Sequence, residues 1–148
     1  LLYIGGKPGS GKSTLVKYFK DNILELEPDA RSATIASFFY SFREGELQKS
    51  HHNMLRSILY DVLSQNEFFF YHFQREYRLY RDMMRERGRE DCAECPYESL
   101  KRVLLSLGDH PRTGRLYFII DAVDKSDEAD RRAILDVFLT FVPRNAAP

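Results

Sequence analysis

The apolar positions of this chain alternate between two spacings, and that alternation predicts its elements. Leu1-Leu2-Tyr3-Ile4 is a short apolar run that ends at two glycines, as a first strand would. Leu15, Phe19, Ile23 and Leu26 then recur at helical spacing, with Val16 and Tyr18 widening the face, until Pro28-Asp29 stops the pattern. Residues 33–40 are β-branched and aromatic, which predicts a buried second strand, and residues 41–45 follow as a loop. Ser50 is placed to cap a helix in which Met54/Leu55, Ile58/Leu59 and Val62/Leu63 repeat every four residues. Between Glu67 and Arg89, Phe69, Phe73, Tyr77, Tyr80 and Met84 share one helical face, while Arg78, Arg81, Arg85 and Arg89 lie along another. Pro96 opens a further helix with Leu100, Val103, Leu104 and Leu107 inward, closed by Gly108 and Pro111. Leu116–Asp121 is a continuous apolar run of the kind buried on both faces in a parallel sheet. Ser126 is expected to cap the last helix, whose inward face is Ala133, Ile134, Val137, Phe138 and Phe141. Strands separated by helices predict an α/β fold with a parallel sheet.

Composition narrows the class. At 148 residues the chain can bury one domain's core, and 43% apolar with 30% charged residues is ordinary for a folded protein. Its 22 basic and 22 acidic side chains cancel, leaving no global field to gather nucleic acid or an anionic membrane surface. The arginine and aromatic face of 67–89 is a candidate partner surface, although interleaved acids (Glu76, Asp82, Glu86, Glu90, Asp91) favour a core face beside a solvated one. No apolar run is long enough for a membrane span and no signal peptide precedes the first strand, so the expected location is cytoplasmic. Cys92 and Cys95 form a single Cys-x-x-Cys without further metal-spaced ligands, and are expected to be incidental thiols. The chain opens inside a strand and stops just after a helix, as a segment of a longer protein would.

The chemistry concentrates in Gly6-Lys7-Pro8-Gly9-Ser10-Gly11-Lys12-Ser13-Thr14, which fits Gly-x-x-x-x-Gly-Lys-Ser/Thr between an apolar run and a helix. Glycines let the backbone close around phosphate oxygens, and the following helix points its positive end at the same spot. Lys12 is expected to reach the β- and γ-phosphates, and the Ser13 hydroxyl to ligate Mg²⁺. Asp121 ends the most apolar strand, where ligands of α/β sheets collect, and is the candidate acid for the same Mg²⁺. Asp124, three residues on, is a candidate to orient an attacking water.

Together, residues 6–14 (Walker A), 36–41, 47–50 with 55–57, and 116–124 (Walker B) resemble the NACHT domain of STAND-class P-loop NTPases. The likeness is greatest to the nephrocystin 3-like N-terminal type found in large multidomain proteins of filamentous fungi. The resemblance implies a three-layer αβα P-loop sandwich with a mainly parallel sheet, truncated before the sensor strand, with a helical insert at about 65–95. It also implies an ATP- or GTP-binding switch that hydrolyses slowly with Mg²⁺, self-associates, and works beside flanking effector and repeat domains. Carried over, Lys12, Asp121 and Asp124 are catalytic, residues 6–14 hold the nucleotide, and Ser13 and Asp121 hold the metal. The family usually has Glu directly after the second acid; this chain has Lys125, which weakens the case for hydrolysis. A binding-only nucleotide module and a small-molecule P-loop kinase remain as alternatives.

Overall fold

A computed structural model describes residues 2, 4–41, 45–87, 94–108, 114–126 and 131–140, apart from the side chains of Glu46 and His72. In chain order it contains α1 (Lys12–Leu26), β1 (Thr34–Phe39), α2 (His51–Gln65), α3 (Phe70–Glu86), α4 (Tyr97–Gly108), β2 (Leu116–Asp121) and α5 (Arg131–Leu139), with short 3-10 turns between them. The chain is a mixed α/β protein, mostly helical, around a two-stranded parallel sheet among the described residues. β1 and β2 pair from Thr34↔Leu116 to Phe39↔Asp121. Parallel neighbours need a long crossover, and α2, α3 and α4 supply it.

Side chains alternate across the sheet, so each strand serves two layers. Ala36, Phe38 and Tyr40 enter the main core, where they meet Met54, Leu55, Ile58, Leu59 and Val62 of α2 and Leu100, Val103, Leu104 and Leu107 of α4. Ile134, Val137 and Phe138 of α5 close that layer, with the rings of Phe118 and Phe138 5.2 Å apart. On the opposite face, Ile35, Tyr117 and Ile119 pack with Val16, Phe19 and Ile23 of α1 and with Ala30. Helices therefore cover both faces of the strand pair.

Among the described residues, the outer edge of β1 is closed by side chains rather than by a strand. Asp61 Oδ2 accepts from the Ser37 N–H at 2.9 Å, Gln65 Oε1 accepts from the Ile35 N–H at 2.9 Å, and Gln65 Nε2 donates to the Ile35 carbonyl at 2.6 Å. These bonds satisfy backbone groups that an edge strand would otherwise present to solvent. At the start of the sheet, Arg115 pairs with Asp29, a contact that raises the pKa of an already permanent cation.

Several expectations need correction. Leu2 and Ile4–Lys7 do not lie in a strand, and Leu2 is 82% exposed, without the apolar cover a buried strand needs. Leu15 and Leu26 also face solvent, because α1 is rotated to pack through Val16, Phe19 and Ile23. On α3, Phe73 and Met84 are only half-buried and Tyr77 is exposed, so that stripe is less of a core face than its spacing predicts. Ser126 donates to the Val123 carbonyl, and α5 begins at Arg131; residues 127–130, Phe141 and Cys92 lie outside the described residues. By contrast, Ser50 caps α2 as expected, accepting from the Asn53 N–H.

Two outcomes follow from the packing. Leu104→Ala, at a fully buried position, should cost about 2–5 kcal/mol in urea unfolding, whereas Leu135→Ala at a half-exposed one should stay within about 0.5 kcal/mol. Burial pushes the Cys95 thiol above its ordinary pKa, Ser99 opposing and Glu76 reinforcing. The folded chain thus holds this proton when the unfolded chain releases it, so Cys95 adds stability that is lost as pH rises past the thiol's unfolded value. In a Cys92→Ser background, replacing Cys95 with Ala should flatten the alkaline fall in melting temperature.

Candidate functional site

The glycine-rich loop folds around its own lysine. Lys12 Nζ donates to the carbonyls of Gly6 at 2.7 Å and Lys7 at 2.9 Å, and the Ser10 N–H returns to the Lys7 carbonyl at 3.2 Å. An ammonium has three donors, so one remains for a ligand oxygen. A Cβ on Gly6 would sit 3.1 Å from Ser10 Oγ, closer than most such contacts, so a side chain there would require Ser10 to shift. Gly11 is the N-cap of α1 in the left-handed region, at φ 82° and ψ 11°.

This helix start is built differently from that of α2. No side chain caps it, and its first turn carries no acid. The first internal bond runs from the Leu15 N–H to the Gly11 carbonyl, which leaves the N–H groups of Lys12, Ser13 and Thr14 without an acceptor inside the helix. Residues Gly5–Gly11, Ser13 and Thr14 are exposed, so these donors and the helix's positive end face solvent.

Asp121 ends β2 as a buried carboxylate, while its carbonyl accepts from the Tyr40 N–H at 3.1 Å. By alternation it shares a sheet face with Tyr117 and Ile119, the face that α1 covers. The Arg115–Asp29 pair ties the region after the C-terminus of α1 to the beginning of β2. The helix therefore runs back against the strands, with its N-terminus directed toward their carboxyl ends. Ser13 thus opens the helix that covers the Asp121 face, and no hydrogen bond joins the two side chains among the described residues.

Behind Asp121 the backbone makes an abrupt turn. Ala122 takes φ 57° and ψ 40°, a left-handed conformation that costs a non-glycine residue about 1–2 kcal/mol. The turn is held by Lys125 N–H to the Ala122 carbonyl at 2.8 Å and by Arg131 Nη2, which donates to the carbonyls of Asp124 at 2.7 Å and Ser126 at 2.9 Å. Asp124 itself is exposed and Lys125 half-buried. Arg131 had no sequence signal as a turn clamp, because an arginine opening a helix has the same appearance whether it is solvated or folded back onto carbonyls.

Loop geometry gives a direct test. Gly11→Ala should lose about 1–2 kcal/mol in urea unfolding because of its positive φ, whereas Gly5→Ala, where the backbone needs no such conformation, should lose under about 0.5 kcal/mol.

No curated protein and no solved structure matches the chain. The family model described as nephrocystin 3, N-terminal, matches residues 1–147, which takes in the glycine-rich loop, both strands and the Asp121 turn. The chain belongs to the nephrocystin 3 N-terminal family.

Proposed function

We propose that this chain binds a nucleoside triphosphate, ATP or GTP, with Mg²⁺, and hydrolyses it slowly as a STAND-type switch. In that role nucleotide state would govern self-association beside effector and repeat domains. One observation carries the reading: the helix that starts without a cap, beside a lysine with one donor left over, packs against the strand that ends in the buried Asp121.

The residues suit the chemistry. The N–H groups of residues 12–14, which have no acceptor inside the helix, would donate to phosphate oxygens without losing an existing bond, and the third donor of Lys12 would meet the same group. Ser13 and Asp121 offer a hydroxyl and a carboxylate, the hard oxygen donors Mg²⁺ prefers, with phosphate and water completing its shell. When bound, the metal neutralises charge on the phosphates. Asp124 is exposed at the end of the clamped turn, where it would orient a water. Lys125 places a cation beside Asp124, in a position where the resembled NACHT domains carry an acid, and so keeps turnover slow.

Thermal melting with and without Mg²⁺-ATP and Mg²⁺-GTP tests the site. At a hundred times the dissociation constant, a bound nucleotide should stabilise the chain by about 2.7 kcal/mol. Lys12→Ala should abolish the shift. Asp121→Asn should reduce it to the value seen in EDTA. A Lys12→Ala protein that still responds in full would remove the assignment. Single-turnover phosphate release then measures hydrolysis, and Lys125→Glu should accelerate it.

A further inference from the structure

We propose that one flank of α3 is a docking surface for an acidic, amphipathic protein segment. Burial accounts for few of this helix's rings. Tyr80 is buried, Phe69 just before the helix is fully so, and Glu76 on the same side accepts from Arg102 of α4 at 3.1 Å. Phe70 and Tyr77 nevertheless remain 50% and 38% exposed. Together with Phe73, Gln74, Arg78 and Arg81 they form a stripe at spacings of three and four residues, about a quarter-turn round the helix from its buried side. The stripe lines a groove of about 330 Å³, in which the rings of Phe73 and Tyr77 stack 6.1 Å apart at 21°.

Charge identifies the occupant. The stripe carries two guanidinium groups and no carboxylate. Arg78 has no ion-pair partner among the described residues, and Arg81 reaches Asp82 only at 3.6 Å between side chains more than half exposed, a contact worth little. Glu76, on the inward side of the helix, is engaged by Arg102. An apolar floor with a cationic rim is complemented by apolar side chains flanked by carboxylates, which arginine binds in bidentate fashion. Tyrosine and arginine are also the residue types on which interfaces concentrate their binding energy.

Other occupants fit less well. Two cations on a chain of zero net charge release few counterions from a nucleic acid. A second copy of the stripe would bring two more guanidinium groups and no carboxylate to neutralise them. The flank is also remote from the nucleotide chemistry: α3 packs on α4 and the turn at 67–69, and α4 on α2, before the sheet is reached.

The test uses the full chain and a fluorescein-labelled helical peptide about four turns long, with Leu along one face and Glu elsewhere. A matching peptide with Lys in place of Glu, a uridine-rich RNA and phosphatidylserine–phosphatidylcholine vesicles are measured in parallel. The acidic peptide should bind at least about tenfold more tightly than the lysine peptide. Arg78→Gln with Arg81→Gln should weaken it about tenfold, and Tyr77→Ser should also weaken it, with the far-UV spectrum unchanged. Should the glutamine pair disturb the helix, the Arg78→Lys with Arg81→Lys pair, which keeps the charge, should retain more binding than Tyr77→Ser. Equal binding of the two peptides would overturn the proposal, as would indifference to these variants. Tighter binding of RNA or vesicles, lost in the same variants, would overturn it in favour of those partners.

Discussion

The parallel bonding of β1 to β2 is the constraint on which the remaining architecture depends. Because parallel strands cannot be joined by a hairpin, the chain between them must travel across a face, and α2, α3 and α4 form that passage. The main core is therefore assembled on one side of the sheet, and α1 is left to cover the other. The same register sets Phe39 beside Asp121, so both strands finish together and the carboxylate emerges at a defined end. Lys20 Nζ of α1 lies 5.5 Å from the centroid of the Phe39 ring, a cation–π contact between that helix and the end of β1.

The two sides are unequal in packing. α2 contributes six buried residues and is bolted to the edge of β1 by Asp61 and Gln65, whereas α1 contributes Ile23 alone. The contrast continues at the helix starts: Ser50 satisfies α2, and Gly11 leaves α1 with donors open to solvent. A helix held so lightly, with unpaired amides at its exposed end, is suited to gaining bonds from a ligand rather than from the protein. Family membership extends over both the loop and the Asp121 turn, so the two parts of the proposed site fall in one domain match.

Much of this was legible in the chain. Continuous apolar runs marked both strands to within a residue or two, and Ser50 announced the start of α2. The glycine-rich loop was equally plain, and Gly6, Gly9 and Gly11 do take positive φ there. What escaped was decided by partners distant in sequence. Asp61 and Gln65 resemble a solvated helix face, yet they close a strand edge 24 and 30 residues away. The first apolar run had the composition of a strand, but Leu2 and Ile4 lack the cover that would make burial favourable. On α3 the ring spacing matched a core face, while the neighbouring elements cover only part of it. Periodicity specifies which residues share a face; it does not specify how much surface the rest of the protein has to offer that face.

The central claim is that the start of α1 and the end of β2 meet at one metal-bound triphosphate. Fe²⁺ in place of Mg²⁺, with ATP and ascorbate, cleaves backbone near the bound metal and so reports the claim directly. Paired cuts near Ser13 and Asp121, both suppressed by excess Mg²⁺, are the predicted result. Cleavage near only one of the two, or at neither, would contradict it.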